Sequence, residues 1–362
     1  MRITLAGSCL RLLLAASASL LVAAEQPASA QKGPQERPAQ PLVLENQGSF
    51  FVGGRLKHTT VDGNGRGLFG VGPEDDIMVD QMYVQYEIPK DHGAHTPVVM
   101  IHGCCLSGKT WETTPDGRMG WGEYFLRRER PVYIPDQPSR GRSGFDATAF
   151  DKAKLDSQPA SGLPRIFTAG RNAAWKVFRF GPEYPAVYPD EQFPVAAFEE
   201  LAKQVIPDLN ATLVAPNPTF ANLASLGSQL RGAVLIGHSE SGFYPERAAL
   251  MDASGVRGAI SIEGQCPAGL TPQQLATLAK VPTLIVFGDH IADSPVTAWA
   301  NILAGCRQFV QELATAGGDA TLLSLPDAGL KGSSHMLMQD LNNLKIADLI
   351  LDWIDKHVER SR

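Results

Sequence analysis

The sequence predicts an α/β fold, a doubly wound and mostly parallel sheet with helices on both faces. Two observations carry this. Six short, β-branched apolar runs, each followed by Gly, Pro, Asp, Glu or His, have the pattern of strands buried on both faces. Helix-patterned stretches follow several of them, and strands alternating with helices build a parallel sheet. A third observation, the unequal spacing of the runs, places an insertion.

Ahead of the runs, Ser49 to Val52 and Met78 to Ile88 alternate as half-buried strands do, joined by a Gly-rich loop around Gly63-Asn64-Gly65. The runs themselves are Val98–Ile101, Val132–Ile134, Ala233–Ile236, Ala259–Ile262, Thr283–Phe287 and Thr321–Leu325. Helices are expected over Pro245–Ala253, Ala298–Thr315 and Asn343–Val358, the last with Ile346, Leu349, Ile350, Trp353 and Ile354 on one stripe. From Ile134 to Ala233 the gap is about 100 residues, where about 35 make an ordinary connection. The surplus falls over 146–205, after the strand ending near Asp136, and is rich in Pro and aromatics (Trp175, Phe178, Phe180, Tyr184, Tyr188, Phe193, Phe198). It reads as a cap over the carboxyl edge of the sheet, where α/β folds bind ligands; the alternative is a passive surface excursion. One domain, residues 42–362, contains all of this.

With 362 residues, 44% of them hydrophobic, the chain can bury a sizeable core, which excludes a disordered chain or a disulfide miniprotein. Net charge is −6 with no basic block, so nucleic acid is not an expected partner. Residues 1–24 read as an export signal, with Arg2 and Arg11 ahead of an apolar core running to Val22. That core is shorter than the ~20 residues of a spanning helix, so no stable membrane insertion is expected. Cleavage fits after Ala24 or as late as Ala30, and residues 25–41 read as a flexible leader. The expected destination is the periplasm or the exterior. Cys9 leaves with the signal; Cys104, Cys105, Cys266 and Cys306 then face an oxidising compartment, where paired sulfurs are the default. Zinc-type spacing of Cys and His is missing, so neither a metal nor a cofactor is expected.

The chemistry concentrates at Leu235-Ile236-Gly237-His238-Ser239-Glu240-Ser241-Gly242. A buried strand runs into small–x–Ser–x–small and then a helix, a turn too tight for bulk two positions either side of the Ser. Such a strained turn lifts the Ser239 hydroxyl out of the sheet as a nucleophile. A hydroxyl near its free pKa needs a positioned base and a group to orient that base. Of the eight histidines, His335 sits best, in the loop Gly332-Ser333-Ser334-His335 between the last run and the terminal helix, with His290 as its rival. His238 is expected to face away in the elbow. For the acid, Glu263 closes the run beside the elbow strand, and Asp289 follows the next run; Glu263 is favoured, with Asp289 the alternative. The oxyanion needs two donors: the backbone N–H of Glu240, just after the nucleophile, and that of Cys104 in His102-Gly103-Cys104-Cys105.

The elbow, the His102-Gly103 loop and the turn Asp136-Gln137-Pro138-Ser139-Arg140-Gly141-Arg142-Ser143-Gly144 resemble the α/β-hydrolase superfamily. More closely, His102 to Gly122, with Cys104-Cys105, Trp111 and Pro115-Asp116-Gly117-Arg118-Met119-Gly120-Trp121, is similar to a small group of secreted bacterial esterases. The similarity continues through Glu263, Cys266, Phe287-Gly288-Asp289-His290 and Gly332 to Met336, and so covers most of 45–355. It implies Ser239, His335 and Glu263 as a triad, Cys104 and Glu240 as oxyanion donors, and a small-molecule ester as substrate; the aromatics of the cap suggest that this ester is partly apolar. It also implies a disulfide between the adjacent Cys104 and Cys105, a strained eight-membered ring that would lock the Cys104 N–H. Cys266 and Cys306 are then left to each other; reduced thiols or crossed pairs are the alternatives. One departure is Glu240, a carboxylate where a neutral residue is expected. A lactonase, amidase or acyltransferase would use the same triad, and a binding protein that has lost catalysis would keep the fold.

Overall fold

Two long strands, β1 (Leu44–Thr59) and β2 (Asp75–Pro89), form an antiparallel pair at one edge of an eight-stranded sheet. The computed structural model describes residues 40–59, 75–155, 159–209 and 216–359. The expected signal (1–24), the leader (25–41) except its last two residues, and the Gly63-Asn64-Gly65 loop lie outside these. The remaining strands are β3 (Val98–Ile101), β4 (Val132–Asp136), β5 (Ala233–His238), β6 (Val256–Ile262), β7 (Thr283–Phe287) and β8 (Ala320–Ser324). Their spatial order is β1-β2-β4-β3-β5-β6-β7-β8, parallel from β4 onward. Every expected run is therefore a strand.

Burial on both faces explains the continuous apolar runs. Along β3, Val98 and Met100 point into one core, Val99 and Ile101 into the other, the alternation that a period of two requires. On the first face pack α1 (Trp121–Arg127) and α9 (Asn343–Ile354) through Trp121, Phe125, Ile346 and Ile350. On the second pack α5 (Pro218–Gln229), α6 (Tyr244–Met251), α7 (Pro272–Leu278) and α8 (Ala298–Thr315) through Leu223, Tyr244, Leu278 and Phe309. Two details differ from the sequence reading. The β8 run is only half-buried along its length, because it is the sheet's far edge and has one neighbour. The terminal helix stops at Ile354 and widens into a π turn over Asp355–Glu359, whose two carboxylates both reach the buried Arg130.

Between β4 and α5, the insertion contributes α2 (Thr148–Leu155), α3 (Arg171–Val177) and α4 (Phe198–Ala202). Five of its aromatics, Trp175, Phe178, Phe180, Phe193 and Phe198, are buried in the core of the first face, with Phe180 stacked on Phe193 at 4.1 Å, while Tyr184 is exposed and Tyr188 half-buried. Such rings are large apolar surfaces, and a segment without a sheet of its own uses them to hold itself down.

Candidate active site

The register of the sheet assembles the site. Ile101 pairs with Gly237 and His238 with Ile262, so His102, Ser239 and Glu263 leave the carboxyl ends of three neighbouring strands side by side. Ser239 sits at φ 58°, in the left-handed region, held there by close packing around it. A Cβ on Gly237 would stand 2.0 Å from the Ser241 carbonyl, and one on Gly103 would stand 2.9 Å from the Ser239 Cβ. Ser241 occupies the second small position for a reason: its hydroxyl accepts the His238 N–H at 2.9 Å and lies 3.0 Å from the Ile101 carbonyl, stapling the turn to β3.

His335 is fully buried and reaches both partners. Its Nε2 lies 2.9 Å from Ser239 Oγ and its Nδ1 3.1 Å from Glu263 Oε2. A proton on Nδ1 lets the ring donate to the carboxylate and accept from the hydroxyl. The other Glu263 oxygen accepts from the Gly288 N–H and, at 2.8 Å, from Arg179 Nη2. Burial pushes the Glu263 carboxyl up, but Arg179 and His335 outweigh it and hold it at about 2. Burial also lowers His335 below the ordinary imidazole value, against the upward pull of Glu263.

The rivals have other partners. Asp289 accepts from the backbone of His290 and, at 2.9 Å, from Gly332, and so supports the loop that carries His335. His290 stacks on Tyr188 at 3.9 Å and bonds Asp190. His238 does not face away as expected: its ring centroid is 4.8 Å from that of His335, and its Nε2 meets the His335 carbonyl at 3.0 Å. Burial lowers its pKa to about 3, so it is neutral.

The loop after β3 lies beside the elbow. Arg140, buried, donates to the Gly103 carbonyl at 3.2 Å, to Asp208 at 2.9 Å and to Glu240 at 2.6 Å, while Asp208 accepts the Cys105 N–H at 3.0 Å. The segments on either side of Cys104 are thus tied to the residue after the nucleophile. The Glu240 carboxylate, odd in the sequence, shares the Arg140 guanidinium with Asp208. Cys105 stands at φ 59°. The expected Cys104–Cys105 bond is absent from the structure: both thiols are free, with sulfurs 2.9 Å apart where a bond needs about 2.05 Å. The peptide between them is trans, and a trans peptide keeps neighbouring Cα atoms at about 3.8 Å, below the usual disulfide span. Cys266 and Cys306 are joined, with Cα atoms 5.1 Å apart, tying the loop after Glu263 to α8.

A cleft of about 270 Å³ opens over Ser239, Glu240 and Glu263, walled by Phe243, Gln265, Trp299 and Ile302. Its apolar walls come from Trp299 and Ile302 of α8 and from Phe243 just ahead of α6 rather than from the insertion's aromatics. Sequence reasoning missed Arg179, Arg140 and Asp208 as parts of this site. The available signals were an arginine set between aromatics in Trp175-Lys176-Val177-Phe178-Arg179-Phe180 and the Arg-rich turn after β4. Neither names its partner.

No family model matches the chain. Comparison with known proteins nonetheless gives clear relatives. The atomic-resolution structure of a novel bacterial esterase is 49% identical, covers 89% of this chain and 98% of its own, and superposes with a TM-score of 0.83. A protein of a fungus (Fungal sp., strain ATCC 74256) described as a probable secreted lipase is 24% identical over 374 residues, 89% of this chain and 93% of its own. With that identity to a bacterial esterase over nearly both whole chains, the protein belongs to the α/β-hydrolase superfamily, in the same family of carboxylic ester hydrolases.

Proposed function

We propose that the protein is an exported serine esterase that hydrolyses a small carboxylic ester through an acyl-enzyme. The observation that carries this is the unbroken line from Ser239 Oγ through the His335 ring to Glu263, at 2.9 and 3.1 Å, at the floor of a cleft. Ser239 attacks the ester carbonyl while His335 Nε2 takes its proton. Glu263, ionised, keeps the Nδ1 proton facing it and stabilises the imidazolium that forms. The N–H groups of Cys104 and Glu240 receive the oxyanion, with the Gly103–Arg140–Glu240 ties holding the two segments in place. His335 then protonates the leaving alcohol, and water repeats the cycle on the acyl group.

Export rests on the 1–24 segment, the Cys266–Cys306 bond, and likeness to a protein described as secreted. The 146–205 segment acts as a cap in this reading, since Phe178 and Arg179 both touch the proposed triad. Hydrolysis of 4-nitrophenyl acetate, compared between the wild type and Ser239→Ala, tests the enzyme reading. A loss of about 10³-fold or more is expected, and equal rates would overturn it. Graded esters, lactones and anilides in the same assay separate an esterase from a lactonase or amidase.

A further inference from the structure

We propose that Arg179, supplied by the insertion, is a positioning residue that fixes the Glu263 carboxylate in its orientation toward His335, so that the 146–205 segment is a working part of the catalytic apparatus and not only a cover. This rests on the reading of Ser239, His335 and Glu263 as the triad.

Four features of Arg179 support it. Its side chain is wholly buried, as is that of Glu263, and the two form an ion pair at 2.8 Å. Its Nε donates to the Asp289 carbonyl at 2.7 Å, so one guanidinium joins the insertion to the loops after both β6 and β7. Its carbon lies 4.9 Å from the centre of the Trp299 ring, a wall of the cleft. Its backbone sits at φ 59°, just past the end of α3, a position that favours glycine. A side chain is kept where the backbone would do better without one.

The chemistry follows from the Glu263 oxygens. Oε2 faces His335, and Oε1 receives Arg179 and the Gly288 N–H. A carboxylate with donors on one oxygen only would be free to rotate about its last bond; Arg179 and Gly288 block that rotation. The charged and titratable groups around His335 are Glu263 after β6, Arg179 from the insertion, His238 in the elbow and Asp340 beyond the histidine loop. Among them Arg179 lowers the pKa of Glu263 and also that of His335, because a nearby cation opposes a second positive charge. Removing the guanidinium therefore raises the pKa of His335 and moves the acid limb of kcat/KM to higher pH.

The test measures kcat/KM on 4-nitrophenyl acetate from pH 4 to 9 for the wild type, Arg179→Met, Arg179→Lys and Glu263→Gln, with each Arg179 change also made in the Glu263→Gln background. Far-ultraviolet circular dichroism reports folding. Arg179→Met is expected to lose about 100-fold in the wild-type background and under about threefold beside Glu263→Gln, with the acid limb raised by about one pH unit. Arg179→Lys keeps the charge, so it should recover about tenfold and leave the limb in place. Equal losses in the two backgrounds, or an unmoved acid limb in Arg179→Met, would overturn the proposal. If Arg179→Met does not fold, Arg179→Lys decides: a loss of about tenfold that vanishes beside Glu263→Gln supports the proposal, and equal losses refute it. Retained activity in Ser239→Ala is a separate result, which refutes the triad reading instead.

Discussion

The ring of Phe178 lies nearly parallel to the imidazole of His335, with centroids 5.4 Å apart and planes 16° from each other, and the Phe178 carbonyl accepts the His335 N–H at 2.9 Å. One residue of the insertion thus holds the proposed base by both its ring and its backbone. Phe178→Ala keeps the carbonyl and removes the ring. The expected outcome is a stability loss of about 3 kcal/mol from the cavity, read by urea unfolding, and a fall in kcat of about tenfold from the loosened imidazole. An unchanged kcat would mean that the ring serves packing alone.

The choice of acid is open to direct test. Glu263→Gln keeps the shape and removes the charge that stabilises the imidazolium, so kcat should fall by about 10³-fold. Asp289→Asn removes one of the two oxygens that accept from the His290 and Gly332 backbones, which loosens the histidine loop, and should cost less than about tenfold. The reverse ranking would transfer the role to Asp289.

Stability should decline in mild alkali. Burial raises Glu191 to about 9, with Asp340 adding to the effect, and raises Glu246 to about 8; one Glu191 oxygen, Oε2, is buried without a hydrogen-bond partner. Between pH 7 and 9 the folded chain holds protons at these carboxyls that the unfolded chain has already released. Unfolding then releases protons, and stability falls as pH rises through that window. Thermal midpoints for the wild type should drop between pH 7 and 9, and Glu191→Gln should reduce the drop. An identical pH slope in the variant would contradict this.

The Cys266–Cys306 bond closes a loop of 40 residues, for which chain entropy gives about 4 kcal/mol. Reduction with dithiothreitol, or Cys306→Ala, is expected to lower unfolding free energy by about that amount. Because Cys266 is three residues from Glu263, kcat should fall as well. Full activity and an unshifted unfolding curve after verified reduction would show that the bond is dispensable.

Much of this site was legible in the primary structure because its signals are local. A buried strand followed by Gly237-His238-Ser239-Glu240-Ser241 marks a tight turn through the sizes of its residues alone. Glu263 at a strand end and His335 in a Gly-Ser loop declare themselves the same way, as polar groups placed where apolar runs stop. Arg179 gave no such sign. Its partner Glu263 lies 84 positions away, and nothing in the run of residues around it says which buried carboxylate will face it. Arg140, Asp208 and Glu240 are alike in this: one cation and two carboxylates from three segments that make sense only as one hydrogen-bonded cluster.

The chain's own order of residues determined its strands, three of its helices, the elbow, and which histidine and carboxylates were candidates for a base and an acid, because periodicity and turn chemistry act over a few neighbours. Tertiary structure alone decided that β8 is an edge, that five of the insertion's aromatics are core, and how closely the Cys104 and Cys105 sulfurs approach. It also decided that Cys105, Arg179, Ser239 and Glu263 all adopt left-handed backbone at φ 56–59°. Such conformations run against local preference, so only the packing and pairing of distant segments can hold them, and local rules do not foresee them.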